Sequence, residues 1–323
     1  MKATILTLVL INCMCLTNIY AQIDAQFESS NITVNTLVAS SFINDNEGWI
    51  ADDAGTLFHT SDAGLSWNSI SSDINFLNLV FINAQFGYGI TEDAAYKTKD
   101  GGTTWSTLSL PAKIGTSIYF LDNQTGFISG FGEIYKTTDG GDSWTTVSTE
   151  GVSFDDFFFM SSSIGVAAAD DDDSYQSIWR TTDGGLTWSN VFSEENYFIN
   201  AVWFTDENTG WAVGYYDKPG RGKQPVINRS IDGGLTWLNV YINRHPGEIR
   251  GQAFIDIRFK NEMEGFALAS YSENVITLDG GVTWTLTYDE NKQIVPSYGI
   301  YKCIDGRSEL YLIGKDGLVT KWE

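Results

Sequence analysis

The stretch "TTDGGLTW" occupies residues 181–188. An Asp beside two glycines suits a metal loop, a catalytic turn or a piece of scaffold, and the number of copies decides among them. The phrase returns as "TSDAGLSW" (60–67), "TKDGGTTW" (98–105), "TTDGGDSW" (137–144), "SIDGGLTW" (230–237) and "TLDGGVTW" (277–284). All six fit S/T-x-D-x-G-x-S/T-W. Their tryptophans, Trp67, Trp105, Trp144, Trp188, Trp237 and Trp284, stand 38, 39, 44, 49 and 47 residues apart. A period of that length built from short β-branched and aromatic runs is propeller spacing. A helical repeat would carry a 3.6-residue apolar pattern instead, and none appears.

Each copy has the same lead-in, as in "SIYFLDNQTGFISGFGEIYKTTDGGDSWTTV" (117–147). It reads as an inner strand, a polar turn, a second strand opening at an aromatic, a third strand ending in the box, and an outer strand beginning at the box Trp. A seventh unit, "SYGIYKCIDGRSELYLIGKDGLVTKWE" (297–323), supplies only three strands. The segment "QFESSNITV" (26–34) is free to supply its fourth and close the ring, which removes an open seam of strand edges. The expectation is an all-β, seven-bladed β-propeller of four-stranded antiparallel blades over residues 22–323, closed by its N-terminal strand.

Within the box, the second glycine allows the positive φ that a tight turn demands. Asp62, Asp100, Asp139, Asp183, Asp232 and Asp279 are positioned to accept hydrogen bonds from turn amides, and each Trp has a large ring to bury. Calcium needs six to eight oxygen ligands, which one carboxylate and one hydroxyl per box do not provide. Six equivalent positions around a ring also cannot converge on one substrate. The box therefore reads as structural, with no metal and no cofactor expected.

The box resembles the Asp-box, or bacterial neuraminidase repeat, of sialidases, xyloglucanases and sortilin-type receptor ectodomains. The longer phrases "TGFISGFGEIYKTTDGGDSW" and "SIWRTTDGGLTW" are most similar to the photosystem II assembly/stability factor family. That resemblance covers essentially the whole chain after the leader. It implies a protein-binding propeller scaffold without catalysis, and the reading adopted is a non-catalytic scaffold that binds a protein or glycan partner or assists complex assembly. The alternative is an Asp-box glycoside hydrolase or sialidase-like enzyme. Fold alone does not choose between them.

Charge and leader narrow the setting. A net charge of −22 excludes the basic surface that a nucleic-acid partner requires. Residues 1–21 read as a secretory signal peptide, with Lys2, an apolar run and "IYA" ahead of Gln22. Asn12 and Asn18 interrupt that run, which falls short of the roughly 20 apolar residues that span a bilayer. Asn12 ahead of Cys13 also disfavours a lipid anchor. The mature chain is expected in the periplasm, on the cell surface or outside the cell, as a monomer without a transmembrane segment. Cys303 alone remains, so no internal disulfide forms.

If the boxes occupy one rim, the variable loops of the other are the candidate site. Unit four offers Asp170, Asp171, Asp172, Asp173 and Tyr175. Unit five has the longest hairpin, with Tyr215, Tyr216, Lys218, Arg221 and Lys223, followed by a link carrying Arg244, His245 and Arg250. Together they suggest a mixed-charge aromatic patch for a protein or anionic glycan. Catalytic signals are weak. His59 reads as a packed strand residue, and no G-x-S-x-G phrase is present. The equivalent third-strand positions Lys97, Lys136, Arg180 and Arg229 read as blade surface rather than a substrate clamp. A glycosidase needs two carboxylates roughly 5–9.5 Å apart; no pair stands out, and no catalytic residue is assigned.

Overall fold

The computed structural model describes residues 27–111, 114–148, 151–171, 175–220, 222–242, 252–270, 274–289, 292–293, 300–305 and 310–322, so the expected leader lies outside it. Seven antiparallel sheets of four strands follow one another around the chain. The first six span residues 37–71, 78–107, 114–148, 153–193, 197–242 and 254–286. In the seventh, Phe27–Asn31 lies outermost, followed inward by Leu318–Trp322, Leu310–Gly314 and Ile300–Asp305. The ring closes as expected, with Phe27 opposite Trp322 and Asn31 opposite Leu318. A small extra hairpin, Tyr288–Asp289 with Lys292–Gln293, sits between blades six and seven.

Second strands such as Gly48–Asp52, Gly126–Gly130 and Gly265–Ala269 are buried along their whole length. They are covered on both faces by neighbouring blades, which explains their nearly unbroken apolar runs where a half-exposed sheet would alternate. Outer strands sit at the perimeter and are correspondingly exposed, as in Asn68–Ser71.

Aromatic side chains hold adjacent blades together. The inner strand of each of the first six blades ends in a phenylalanine (Phe42, Phe81, Phe120, Phe159, Phe204, Phe259). Each meets its own blade's box tryptophan, near edge-on, at 5.8–6.2 Å. Five of them also stack on the second-strand aromatic of the preceding blade. The pairs are Phe42 on Tyr311, Phe81 on Trp49, Phe120 on Tyr88, Phe159 on Phe127 and Phe259 on Trp211, at 3.8–4.7 Å. Only Phe204 faces an aliphatic residue there, Val166 of blade four. Such offset and edge contacts add about 0.5–1.5 kcal/mol per pair beyond burial.

The second box glycine serves this joint as much as its turn. Gly185 has φ 78°, and a Cβ there would come within 2.6 Å of the Phe127 ring on the preceding blade. Gly185→Ala is accordingly expected to lower the melting temperature by several degrees. A variant that melts like wild type would show that the joint tolerates a methyl group.

Candidate functional site

The six boxes share one geometry. Each Asp Oδ1 accepts from the backbone amide four residues on, at 2.8–2.9 Å. Each Oδ2 accepts from that residue's hydroxyl at 2.6 Å. The Thr or Ser two residues before the Asp donates to Oδ1 at 2.8 Å, and its hydroxyl accepts from the second glycine amide at 2.8–2.9 Å. Every carboxylate oxygen is thus engaged within its own turn.

These bonds favour the charged carboxylate. The hydroxyl and amide of Ser143 lead in holding Asp139 down to about 2, and those of Thr187 do the same for Asp183. Because the folded value lies below the ordinary 3.8, the unfolded chain binds more protons between the two. The stabilisation is therefore full above about pH 4 and is lost as pH falls toward 2. Asp139→Ala should lower the melting temperature at pH 7 by a few degrees. Its deficit relative to wild type should shrink as pH falls through that window; a constant deficit would contradict the assignment.

The third-strand cations need a correction. Lys97, Lys136 and Arg180 do not decorate the blade surface; they cross to the box of the next blade. Lys97 Nζ donates to the Gly140 carbonyl, Lys136 Nζ to that of Gly184 at 2.7 Å, and Arg180 Nε to that of Gly233 at 2.8 Å. Lys97 is buried, and burial lowers the pKa of Lys136. Second-strand donors reach the same carbonyls: Trp49 Nε1 to Gly101 at 3.1 Å and Tyr88 Oη to Gly140 at 2.9 Å. Tyr311 Oη does likewise to Ala63 at 3.0 Å. Arg229 lies over Trp211 at 5.8 Å. The box clamps blade to blade as well as third strand to outer strand. His59 is packed as expected, stacked on Trp49 at 4.6 Å and 3.2 Å from Glu47 Oε1.

The central channel encloses about 1260 Å³ and is lined by the inner strands of blades one to six. Tyr119, Phe158 and Trp203 form an aromatic arc on consecutive blades, with the Arg258 guanidinium 4.9 Å from the Trp203 ring. Its carboxylates are partly committed to the wall. Asp156 Oδ2 accepts from the Val202 amide of the next blade at 3.0 Å. Asp256 pairs with Arg258 at 2.6 Å and accepts from the Ile257 amide at 2.8 Å. Among the described residues, no three His, Cys, Asp or Glu side chains cluster as a metal site would require.

On the rim away from the boxes, blade five projects furthest. Its second and third strands, Gly210–Lys218 and Gly222–Ser230, each run nine residues. Tyr215 is sandwiched there. Phe198 stacks on one side at 4.5 Å and 6°, and Lys223 Nζ lies 4.2 Å from the ring centre. Phe198 and Lys223 belong to the strands flanking Tyr215, so they cover opposite ring faces. On the other face of the sheet, Tyr216 meets Tyr197 at 5.1 Å. Lys218 stands at the hairpin end, opposite Gly222.

In blade four, Asp170 pairs with Gln176 and Asp171 with Tyr175 across the equivalent hairpin. Asp172, Asp173, Arg221, Arg244, His245 and Arg250 lie outside the described residues. The structure therefore unites Tyr215, Tyr216, Lys218 and Lys223, and adds Tyr197 and Phe198, which sequence reasoning missed. The available signal was the aromatic pair "YF" opening the inner strand of the unit with the longest hairpin.

Comparison with known proteins adds the following. Residues 69–194, less than half of the chain, match the family model described as Photosynthesis system II assembly factor YCF48. The Photosystem II assembly lipoprotein Ycf48 of Synechococcus sp. (strain CC9902) is 34% identical over 64 residues. That segment is 18% of this chain and spans only 19% of the relative's length. A solved structure of YCF48 bound to D1 peptide superposes with a TM-score of 0.69 at 21% identity, over 92% of this chain and 96% of that one. YCF48 from Cyanidioschyzon merolae gives 0.70 at 18% identity, covering 92% and 98%. A xyloglucanase from Xanthomonas campestris gives 0.66 at 12% identity, with this chain matching 53% of its length. The chain is a seven-bladed β-propeller similar to the photosystem II assembly factor YCF48, in sequence through blades two to four and in fold around the ring.

Proposed function

We propose that the chain is a non-catalytic, exported scaffold whose blade-five hairpin grips a protein partner. The observation that carries this reading is the Phe198–Tyr215–Lys223 sandwich on the longest hairpin of the ring. A sugar needs an open aromatic face to stack on, and both faces of Tyr215 are occupied. What the hairpin offers is a rigid aromatic ridge with cations at Lys218 and Lys223, in a chain that is otherwise strongly acidic. Aromatic anchors with fixed rotamers and a charged rim suit a protein interface. A solved neighbour that holds a peptide supports a protein partner over a glycan.

Placing a photo-crosslinking residue at Asp217, which is exposed on this hairpin, is expected to capture a discrete partner from the source envelope. A crosslinker at Thr103, on the opposite rim of blade two, is expected not to capture it. Equal capture at both positions, or capture only from Thr103, would overturn the hairpin as the site.

A further inference from the structure

Two box positions keep their side chains out of the bonds to the Asp carboxylate: the residue before the Asp and the one after the second glycine. The latter engages it only through its amide, on blades four to six. On blades two and three these are Lys99, Thr103, Thr138 and Asp142. Blade one carries Leu65 at the second of them, and blades four to six place Leu186, Ile231, Leu235 and Val282 there, each more than half exposed. Leu238 and Met263 join the last four on blades four to six, and these six side chains are 52–71% exposed. Met263 belongs to the turn between the first two strands of blade six, whose carbonyl accepts from the box amide of Gly280 at 2.9 Å. It also lines the channel mouth. Apolar residues on three consecutive blades of one rim mark a surface built to be covered.

From this apolar crescent and its acidic frame we infer a second docking surface, for a basic amphipathic segment of a protein partner. The exposed charged residues that frame the crescent are Asp183, Asp206, Glu207 and Glu262. Three cations near this rim are drawn inward: Arg180 to the Gly233 carbonyl, Arg229 over Trp211, and Lys260 beside Glu264. A segment with an apolar stripe flanked by Lys or Arg is complementary to that pattern. A second copy of this chain, at −22, and an anionic lipid surface both carry charge of the wrong sign. The surface faces away from the blade-five hairpin, so one scaffold is able to hold two proteins at once, independently of what the hairpin binds.

The test uses the full chain and a synthetic helical peptide with a leucine stripe flanked by lysines, beside a counterpart carrying glutamates. Wild type is expected to bind the lysine peptide and not the glutamate one. Leu186→Ser, Leu235→Ser and Met263→Ser combined should weaken binding at least tenfold with an unchanged melting temperature. Asp206→Asn, Glu207→Gln and Glu262→Gln combined should weaken it and flatten its salt dependence. Equal binding by the apolar variant, or no binding by wild type, overturns the proposal. A wild-type dimer in sedimentation that the apolar variant dissolves would assign the crescent to a second copy. Flotation of wild type with zwitterionic vesicles, lost in the variant, would assign it to a membrane. Either result also overturns the proposal. The hairpin is untouched in every variant, so these outcomes are separate from those of the crosslinking experiment.

Discussion

Deleting residues 22–34 is expected to lower the melting temperature by on the order of 10 °C. Five registered pairs join Phe27–Asn31 to Leu318–Trp322. At about 1 kcal/mol net per backbone hydrogen bond, the lost ladder alone accounts for roughly 3–5 kcal/mol. At roughly 2–4 °C per kcal/mol, that gives the stated shift. Asn31 Nδ2 also donates to the Asp316 carbonyl at 2.8 Å, and the Ile32 amide to that of Gly317 at 3.0 Å. Without the strand, blade seven keeps three strands and presents an unpaired edge beside the buried Trp322. The truncated protein should therefore also aggregate on heating, as open edges template pairing. An unchanged melting temperature would mean that the ring does not depend on this strand.

Phe259→Ala is expected to be the most damaging single truncation at a blade joint. Phe259 is buried, stacked on Trp211 of blade five at 3.8 Å and edge-on to Trp284 at 5.9 Å. Removing such a ring costs roughly 3–5 kcal/mol through lost transfer energy and an unfilled cavity. A finer comparison separates stacking from burial. Phe204 occupies the equivalent place but has Val166 at the second-strand position, and the ring it meets on blade four is the more distant Phe158, tilted at 5.7 Å. Phe259→Leu should therefore cost more than Phe204→Leu, by about 0.5–1.5 kcal/mol. Equal losses in chemical denaturation would show that volume, and not ring pairing, holds the joints.

The fold was legible because the box repeats. Its period identified the propeller, and the three-strand seventh unit made "QFESSNITV" the natural partner for Leu318–Trp322. The joints were less legible. Lys97, Lys136 and Arg180 were visible as equivalent positions, yet a repeat says nothing about which carbonyl a long side chain meets. That depends on the neighbouring blade, which exists only once the ring is closed. The hairpin residues Tyr215, Tyr216, Lys218 and Lys223 stood out because they break the repeat. Tyr197 and Phe198 did not, since an aromatic pair opening an inner strand does not by itself say which hairpin residues it meets. Their partnership with Tyr216 and Tyr215 is set by cross-strand register, with a bulge between Ile199 and Ala201. Leu186, Leu235 and Val282 were hidden for the opposite reason: they lie inside the repeat, whose spacing does not distinguish an exposed apolar side chain from a buried one.

The division of labour between a structural box and a binding hairpin is open to one direct measurement. The quantity is partner recovery on immobilised protein from the source envelope, read for two variants well below their melting temperatures. Asp139→Ala should melt lower than wild type and recover the partner in full. The combined variant Lys218→Ala, Arg221→Ala and Lys223→Ala should melt like wild type and lose the partner. Full recovery by the hairpin variant, with loss in Asp139→Ala, would reverse the assignment and make the box the binding element.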